Sequence, residues 1–379
     1  MCGEQFHLGY KDTINYGSYY TPESVVDIAY GMIARNIPDW REHVIADTSC
    51  GYGNFLRFAG SIGADCDSAA LLKAKSNTKN CKFVNHNSLL DVSRSLYGLS
   101  SEDKLIIIGN PPYNDTTSII RNGIKESCLV DFDLKHRDLG ISFLLSYDKL
   151  MADYICVLHP LSYLIKKTNF DGLGNFRNNY VLMDSIIISS GEFSATSKTT
   201  QFPIAIALYK RDNRGMSYES ICERSWLTKE GKKFRINQFD KLSNYVTKYP
   251  NQKYVPREKA TAFFWTMRDI NALKRTRTFI ENEVYNSIRV PREKLPFYCY
   301  ADVFKEYIPH IPYYFGNSDV IIDYQAFNGL KDVFVRRSLR KYKFLNHLLP
   351  GECAYENDDA TIHSYFNNLL GEHYVDKKN

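Results

Sequence analysis

"LIIIGNPPYND", residues 105–115, decides the fold class. Four large aliphatic residues, three of them β-branched, form a run too short for a buried helix and typical of a strand covered on both faces. The run stops at Gly109, and Asn110, Pro111, Pro112 and Tyr113 follow. Proline fixes φ, and a second proline confines the residue before it to extended backbone. A core strand therefore ends in a rigid turn carrying an amide and an aromatic ring.

Runs of the same kind lie on either side: "HVIAD" (43–47), "IGADCD" (62–67), "KFVNHN" (82–87), "YICVLHP" (154–160), "SIIIS" (185–189) and "PIAIALYK" (203–210). Helix-compatible segments such as "SAALLKAKSN" and "ISFLLSYDKLMA" separate several of them. This alternation predicts an α/β domain with a mostly parallel sheet, covered by helices on both faces. Ligands of such sheets sit beyond the carboxyl ends of the strands, near the switch in strand order. After residue 215 the rhythm fades and Tyr, Arg, Lys and Pro become common. The expected division is residues 1–215 and 216–379, the second a mixed α+β domain.

Charge follows the same division. Residues 216–379 hold 26 Lys+Arg and 20 Asp+Glu, whereas residues 1–215 hold 22 and 23. The positive excess lies in the C-terminal part, a weak nucleic-acid signal. The nine cysteines include no Cys-x-x-Cys pair. That fits reduced thiols and a cytoplasmic setting, with no zinc site and no disulfide framework expected. No apolar run reaches the length of a membrane-spanning helix, and the N-terminus lacks an apolar signal core.

Polar groups at the strand ends carry the functional reading. "VIADTSCGYGNFL" (44–56) is a strand ending in Asp47, then a turn with Gly51 and Gly53. Glycines allow close approach of a ligand to the backbone, and a carboxylate there suits an ammonium group. Gly-Lys-Ser/Thr is absent, so this is not a phosphate-binding P-loop. The second run carries Asp65, placed where a ribose hydroxyl pair is commonly held. The third reaches Asn87, an amide able to pair with an adenine edge. At the opening stretch, the Asn110 side-chain oxygen and the Pro111 carbonyl could accept both N–H groups of a planar amine, with Tyr113 as a stacking face. Acceptors aimed by two prolines are an electrostatically preorganised site.

"NPPY" after an apolar strand, preceded by "DTSCGYGNF" (47–55), resembles the S-adenosylmethionine-dependent amino-methyltransferases of DNA. "GSYYTPESVVDIAYGMI" (17–33) resembles the Thr-Pro segment ahead of the cofactor loop in the γ class of N6-adenine enzymes, whose target-recognition domain comes last. "GISFLLSYDKLMADYICVLHPLSYL" (140–164) and "GEFSATSKTTQFPIAIALYK" (191–210) resemble that family's later motifs. The resemblance covers roughly residues 17–210 and implies a Rossmann-like methyltransferase domain with a seven-stranded sheet.

It also implies roles. Thr21, Asp47, Cys50, Gly51, Gly53, Asp65, Asn87, Asn110 and Phe143 would line the S-adenosylmethionine site, Phe143 against the cofactor adenine. Asp91 is the alternative to Asn87, which stands where the family usually has Asp. Asn110, Pro111, Pro112 and Tyr113 would hold a flipped-out adenine, with Phe193 on its other side and Phe202 the rival for that role. No metal is implied. The implied partner is double-stranded DNA, and a separately encoded restriction endonuclease is a possible companion. "KRTRTF" (274–279), "RVPREK" (289–294) and "RRSLRKYKF" (336–344) are candidate DNA contacts. A methyltransferase of RNA or of protein glutamine, and a catalytically silent DNA-binding subunit, are the alternatives. Only about eight residues separate Gly53 from the next strand, so any helix there must be very short.

Overall fold

The computed structural model describes residues 21–113, 129–193, 200–250, 252–350 and 357–376. Two compact units divide between Arg235 and Ile236.

The first unit is built on a seven-stranded sheet. Its strands are β1 (Val44–Asp47), β2 (Ile62–Asp65), β3 (Lys82–Asn85), β4 (Leu105–Gly109), β5 (Tyr154–Pro160), β6 (Tyr180–Ser189) and β7 (Pro203–Arg211). The order across the sheet is β3-β2-β1-β4-β5-β7-β6. β7 runs antiparallel to both neighbours, and the other pairings are parallel. This is a Rossmann-like α/β fold, and all seven strands fall on the apolar runs of the sequence. Every residue of β4 is buried, as its unbroken aliphatic run requires.

Three helices flank the sheet where the site forms: α1 (Glu23–Asn36), α2 (Ser68–Asn77) and α3 (Leu139–Lys149). α1 buries Val25, Val26, Ala29 and Ile33 against Ile106, Ile108, Leu158 and Ile206. No helix follows the glycine loop. The chain turns through Gly53–Leu56 and reaches β2 directly, and α1 covers that region instead. The Arg57 side chain binds Asp27 at 2.6 Å and also Glu23, and the Tyr30 hydroxyl donates to the Phe55 carbonyl.

The compact units divide later than the change in sequence texture. Residues 216–235 belong with the first unit because they bond to it. The Tyr218 hydroxyl donates to the Ile165 carbonyl at 2.7 Å, Arg224 donates to the Leu182 carbonyl at 3.1 Å, and the Lys229 amide donates to Ile187 at 2.9 Å. Two short strands there, β8 (Trp226–Leu227) and β9 (Lys233–Phe234), pair with each other.

The second unit contains a three-stranded antiparallel sheet. Its central strand is β10 (Ala260–Trp265), flanked by β11 (Phe279–Ile280) and β12 (Ser287–Pro291). Helices α4 (Leu295–Tyr307), α5 (Lys331–Leu339) and α6 (Asp358–Leu370) follow. They meet around aromatic side chains: Tyr300 lies 5.1 Å from Phe334 and 5.8 Å from Phe366. At the edge of this core Asp302 is buried, and it accepts from Thr278, Ser338, Lys341 and Tyr342 at 2.6–2.9 Å. Among the described residues no helix is long and apolar enough to cross a membrane.

Candidate active site

Strand order explains why two distant sequence motifs meet. β1 lies between β2 and β4, and the chain changes direction of progress across the sheet there. Ala46 is in register with Ile107, so Asp47 and the Gly109–Asn110 turn leave the sheet side by side. Gly109 has φ +155°, and a Cβ placed on it would come 2.6 Å from Asp47 Oδ1. The glycine before Asn110 is thus required by the carboxylate beside it as well as by its own backbone.

Asp47 is 2% exposed. The Ser49 amide donates to it at 3.1 Å. Burial pushes its carboxyl up to about 8, outweighing that hydrogen bond, and the nearby Asp65 adds to the rise. Burial thus holds this carboxyl toward its neutral form, and a cation placed beside it would favour the charged form.

The glycine loop closes around the same strand end. Gly51 and Gly53 have φ +51° and +82°. The Gly51 amide donates to Asp65 Oδ2 at 2.8 Å, and the Asp67 amide donates to Asp65 Oδ1 at 2.9 Å. Asp65 therefore ties loop to strand and retains lone pairs on both oxygens. Burial raises its carboxyl, with these amide donors acting the other way. Asp67, not Asp65, caps α2. Cys50 is buried under the loop, where its thiol is raised by burial, and its amide donates to Ala64 at 2.9 Å.

Thr21 joins this loop to the Asn110–Tyr113 turn. Its carbonyl accepts from Asn54 Nδ2 at 2.8 Å, and its hydroxyl bonds Asn110 Nδ2 at 3.1 Å. Thr21 is buried, and Pro22 starts α1 immediately after it. The Asn110 amide is thereby oriented by its nitrogen. Its oxygen is buried and has no hydrogen-bond partner among the described residues. No backbone hydrogen bond among the described residues uses the Pro111 carbonyl. Pro111 is buried, whereas Pro112 and Tyr113 are half-buried.

Tyr113 rests on the start of α3: a Cβ on Gly140 would lie 3.1 Å from Tyr113 Cβ and would also strike the Tyr163 hydroxyl. That hydroxyl donates to Asp138, the residue that caps α3. Phe143, three residues further along α3, is buried and packs beside Tyr147 at 6.2 Å between ring centres.

Two expected residues stand differently. Asn87 donates to the Leu129 carbonyl at 2.8 Å and accepts from the Leu89 amide at 3.1 Å, so one N–H and one lone pair remain for a ligand. Asp91, its alternative, is exposed and has φ +48°. Phe193 is 3% exposed and packs in the same core as α1, so it offers no ring face to a ligand in this conformation. Phe202 is half-buried against that core. Residues 194–199, between these two rings, lie outside the described residues.

Sequence reasoning did not single out Gly109, Asn54, Asp138 or Tyr163. Only Gly109 carries a signal, because a glycine closing an otherwise aliphatic run asks for a reason. Among the described residues no group of three or more His, Cys, Asp or Glu could hold a metal ion.

No protein-family model and no curated protein matches the chain. Among solved structures, a proposed RNA methyltransferase from Pyrococcus horikoshii is 15% identical, with TM-score 0.36, over 54% of this chain and 92% of its own. A proposed class I S-adenosylmethionine-dependent methyltransferase from Listeria monocytogenes is 15% identical, with TM-score 0.39, over 57% and 66%. DrdV in complex with DNA is 14% identical, with TM-score 0.36, over 57% and 28%. None of these likenesses is close enough to assign a substrate.

Proposed function

We propose that the chain transfers a methyl group from S-adenosylmethionine to the exocyclic N6 of an adenine flipped out of duplex DNA. The observation that carries this reading is the Asn110 side-chain oxygen. It is buried and unpartnered among the described residues, beside a Pro111 carbonyl that no backbone hydrogen bond among those residues uses, on a turn stiffened by two prolines. An unsatisfied buried acceptor is costly, so a donor is expected to complete it. Two adjacent acceptors match the two N–H groups of one planar amine.

The residues around β1 fit the cofactor. Asp47 has no cation beside it among the described residues and would hold the methionine ammonium. Gly51 leaves the loop backbone without a side chain, Gly53 lets the loop pack closely on Ala74 and Thr78, and Asp65 and Asn87 retain capacity for ribose and adenine groups. S-adenosylmethionine supplies the electrophilic methyl group.

The chain's own part is positioning. An adenine amine is a poor nucleophile because its lone pair is delocalised into the ring. Asn110 and Pro111 fix the amine in the plane that their acceptors define, which favours attack through orientation and electrostatics. Tyr113, held by Gly140 below it, offers a face for the base and offsets part of its unstacking by about 1–3 kcal/mol. Asn110 cannot take up the proton that leaves, and water is its destination.

The test is incubation of plasmid DNA with methyl-labelled S-adenosylmethionine and mapping of the product. Label in N6-methyladenine that Asn110→Ala abolishes supports the reading. Label in RNA or protein but not in DNA overturns it.

A further inference from the structure

Two sets of cations in the second unit are held differently by the structure. Those of α5 are all engaged. Arg336 is buried and donates twice to Asp358 at 2.7 and 3.1 Å; Arg337 binds Glu306 and Asp359; Arg340 reaches Asp358 at 3.3 Å. Here the expectation that "RRSLRKYKF" contacts DNA meets a packing role, because these side chains fasten α5 to α4 and α6.

The other group surrounds the three-stranded sheet. Residues 236–379 hold 21 Lys+Arg and 17 Asp+Glu; residues 253–294 alone hold ten and five. The whole positive excess of the unit therefore sits on and around this sheet. Lys253, Lys259, Arg277 and Arg292 are exposed and make no ion pair among the described residues.

Their placement follows from register. Ala260 pairs with Pro291, so Lys259 and Arg292 flank one end of the sheet. The Trp265 amide bonds the Thr278 carbonyl, so Arg277 flanks the other end. β10 spans about 20 Å at 3.4 Å per residue. That exceeds the ~12 Å width of a DNA major groove. Cations at the two ends can thus meet phosphates on both sides of a groove.

The face between them is not closed by the unit's own core. Ala262 and Phe264 point inward and are buried, whereas Thr261, Phe263 and Trp265 alternate with them and are only partly buried. Phe263 lies opposite both Ile280 and Arg289. Tyr254 covers Arg289 with its ring, 5.9 Å from the guanidinium, and is itself 79% exposed. Tyr285, in the β11–β12 turn, is 91% exposed. Lysine, arginine and tyrosine are among the side chains that bond phosphate oxygens.

We propose that the outward face of the β10–β12 sheet is the docking surface for the sugar–phosphate backbone of duplex DNA. Unpaired cations at both ends set the complementary charge, and the choice of duplex rests on the methyl-transfer reading above. The test uses the full chain and a fluorescein-labelled duplex, with anisotropy measured across a salt series. The variant Lys253→Gln/Lys259→Gln/Arg277→Gln/Arg292→Gln should lower the slope of log affinity against log salt by roughly 0.9 for each phosphate left without its cation, and by about 1.8 or more in total. Lys331→Gln/Lys343→Gln, which removes two charges elsewhere on the unit, should leave the slope unaltered. Tyr254→Ala/Tyr285→Ala should weaken binding at a constant slope.

A quadruple variant, folded by circular dichroism, that keeps the wild-type slope overturns the proposal. So does tighter, sheet-dependent binding of a single strand or an RNA of equal length. Failure of the methylation reading shows separately, as sheet-dependent duplex binding without label in adenine.

Discussion

Replacing Asp47 by Asn should strengthen the fold while weakening the site. The carboxyl is pushed from 3.8 to about 8 by burial. A carboxyl raised in the folded state stabilises fully below the unfolded value, and that contribution is lost as pH rises through the folded value. Each pH unit between the two removes about 1.4 kcal/mol. From 3.8 to pH 7 the loss reaches an upper bound of about 4 kcal/mol. Asparagine fills the same space and can keep the Ser49 hydrogen bond, and it bears no charge. Urea unfolding of the ligand-free chain and of Asp47→Asn at pH 5, 6, 7 and 8 isolates the effect as a difference between curves. The variant's advantage should grow with pH by about 1.4 kcal/mol per unit and flatten near pH 8. Calorimetry should show S-adenosylmethionine binding weakened by about 1.5–3 kcal/mol through loss of a charge-assisted hydrogen bond. A variant no more stable than the wild type at pH 8, or a difference flat from pH 5, refutes the argument.

Other outcomes follow from single side chains. Asn110→Ala should reduce single-turnover methylation by about 10²–10³ and leave cofactor binding measured by calorimetry intact. Gly109→Ala places a methyl group against the Asp47 carboxylate at a backbone angle that alanine rarely adopts. It should lower both the melting temperature and cofactor affinity, whereas Gly60→Ala, with nothing within 4 Å, should cost only backbone strain of about 1–2 kcal/mol. Asp358→Ala removes the carboxylate that accepts twice from the buried Arg336 and should destabilise the second unit by about 3 kcal/mol in denaturant unfolding. Gly140→Ala drives a methyl group into Tyr113 and Tyr163. It should weaken the 2-aminopurine flipping signal more than it weakens cofactor binding.

The sheet was legible because its signal is local. Runs such as "LIIIGN" and "PIAIALYK" state their own burial, and polar residues mark the ends of several of them. What each polar residue does there was not legible. Asp65 and Asp67 lie two apart and are chemically alike, and only the backbone path makes one bind the Gly51 amide and the other cap α2. Asn87 is partly engaged by Leu129, whose approach no local pattern announces. Phe193 reads as an aromatic at a motif, yet its burial depends on α1, far earlier in the chain. The arginines of α5 show the same limit. Their spacing reads as a basic face, and the carboxylates that engage them arrive from α4 and α6. The domain limit slipped for a related reason: composition changes after residue 215, but residues 216–235 still bond to the first unit.

Thr21 has a consequence for how the two halves of the site communicate. One residue gives its carbonyl to the glycine-loop side through Asn54 and its hydroxyl to Asn110. An event that shifts the loop therefore acts on the orientation of the Asn110 amide through two hydrogen bonds and no longer route. Any such effect on affinity is reciprocal by thermodynamic linkage. If a filled cofactor loop tightens the grip on the extruded base, then a bound base must slow departure from the loop or speed entry to it by the same overall factor. Thr21→Val, which keeps the carbonyl and the shape but deletes the hydroxyl, would weaken this coupling and also release the Asn110 amide from the bond that orients it.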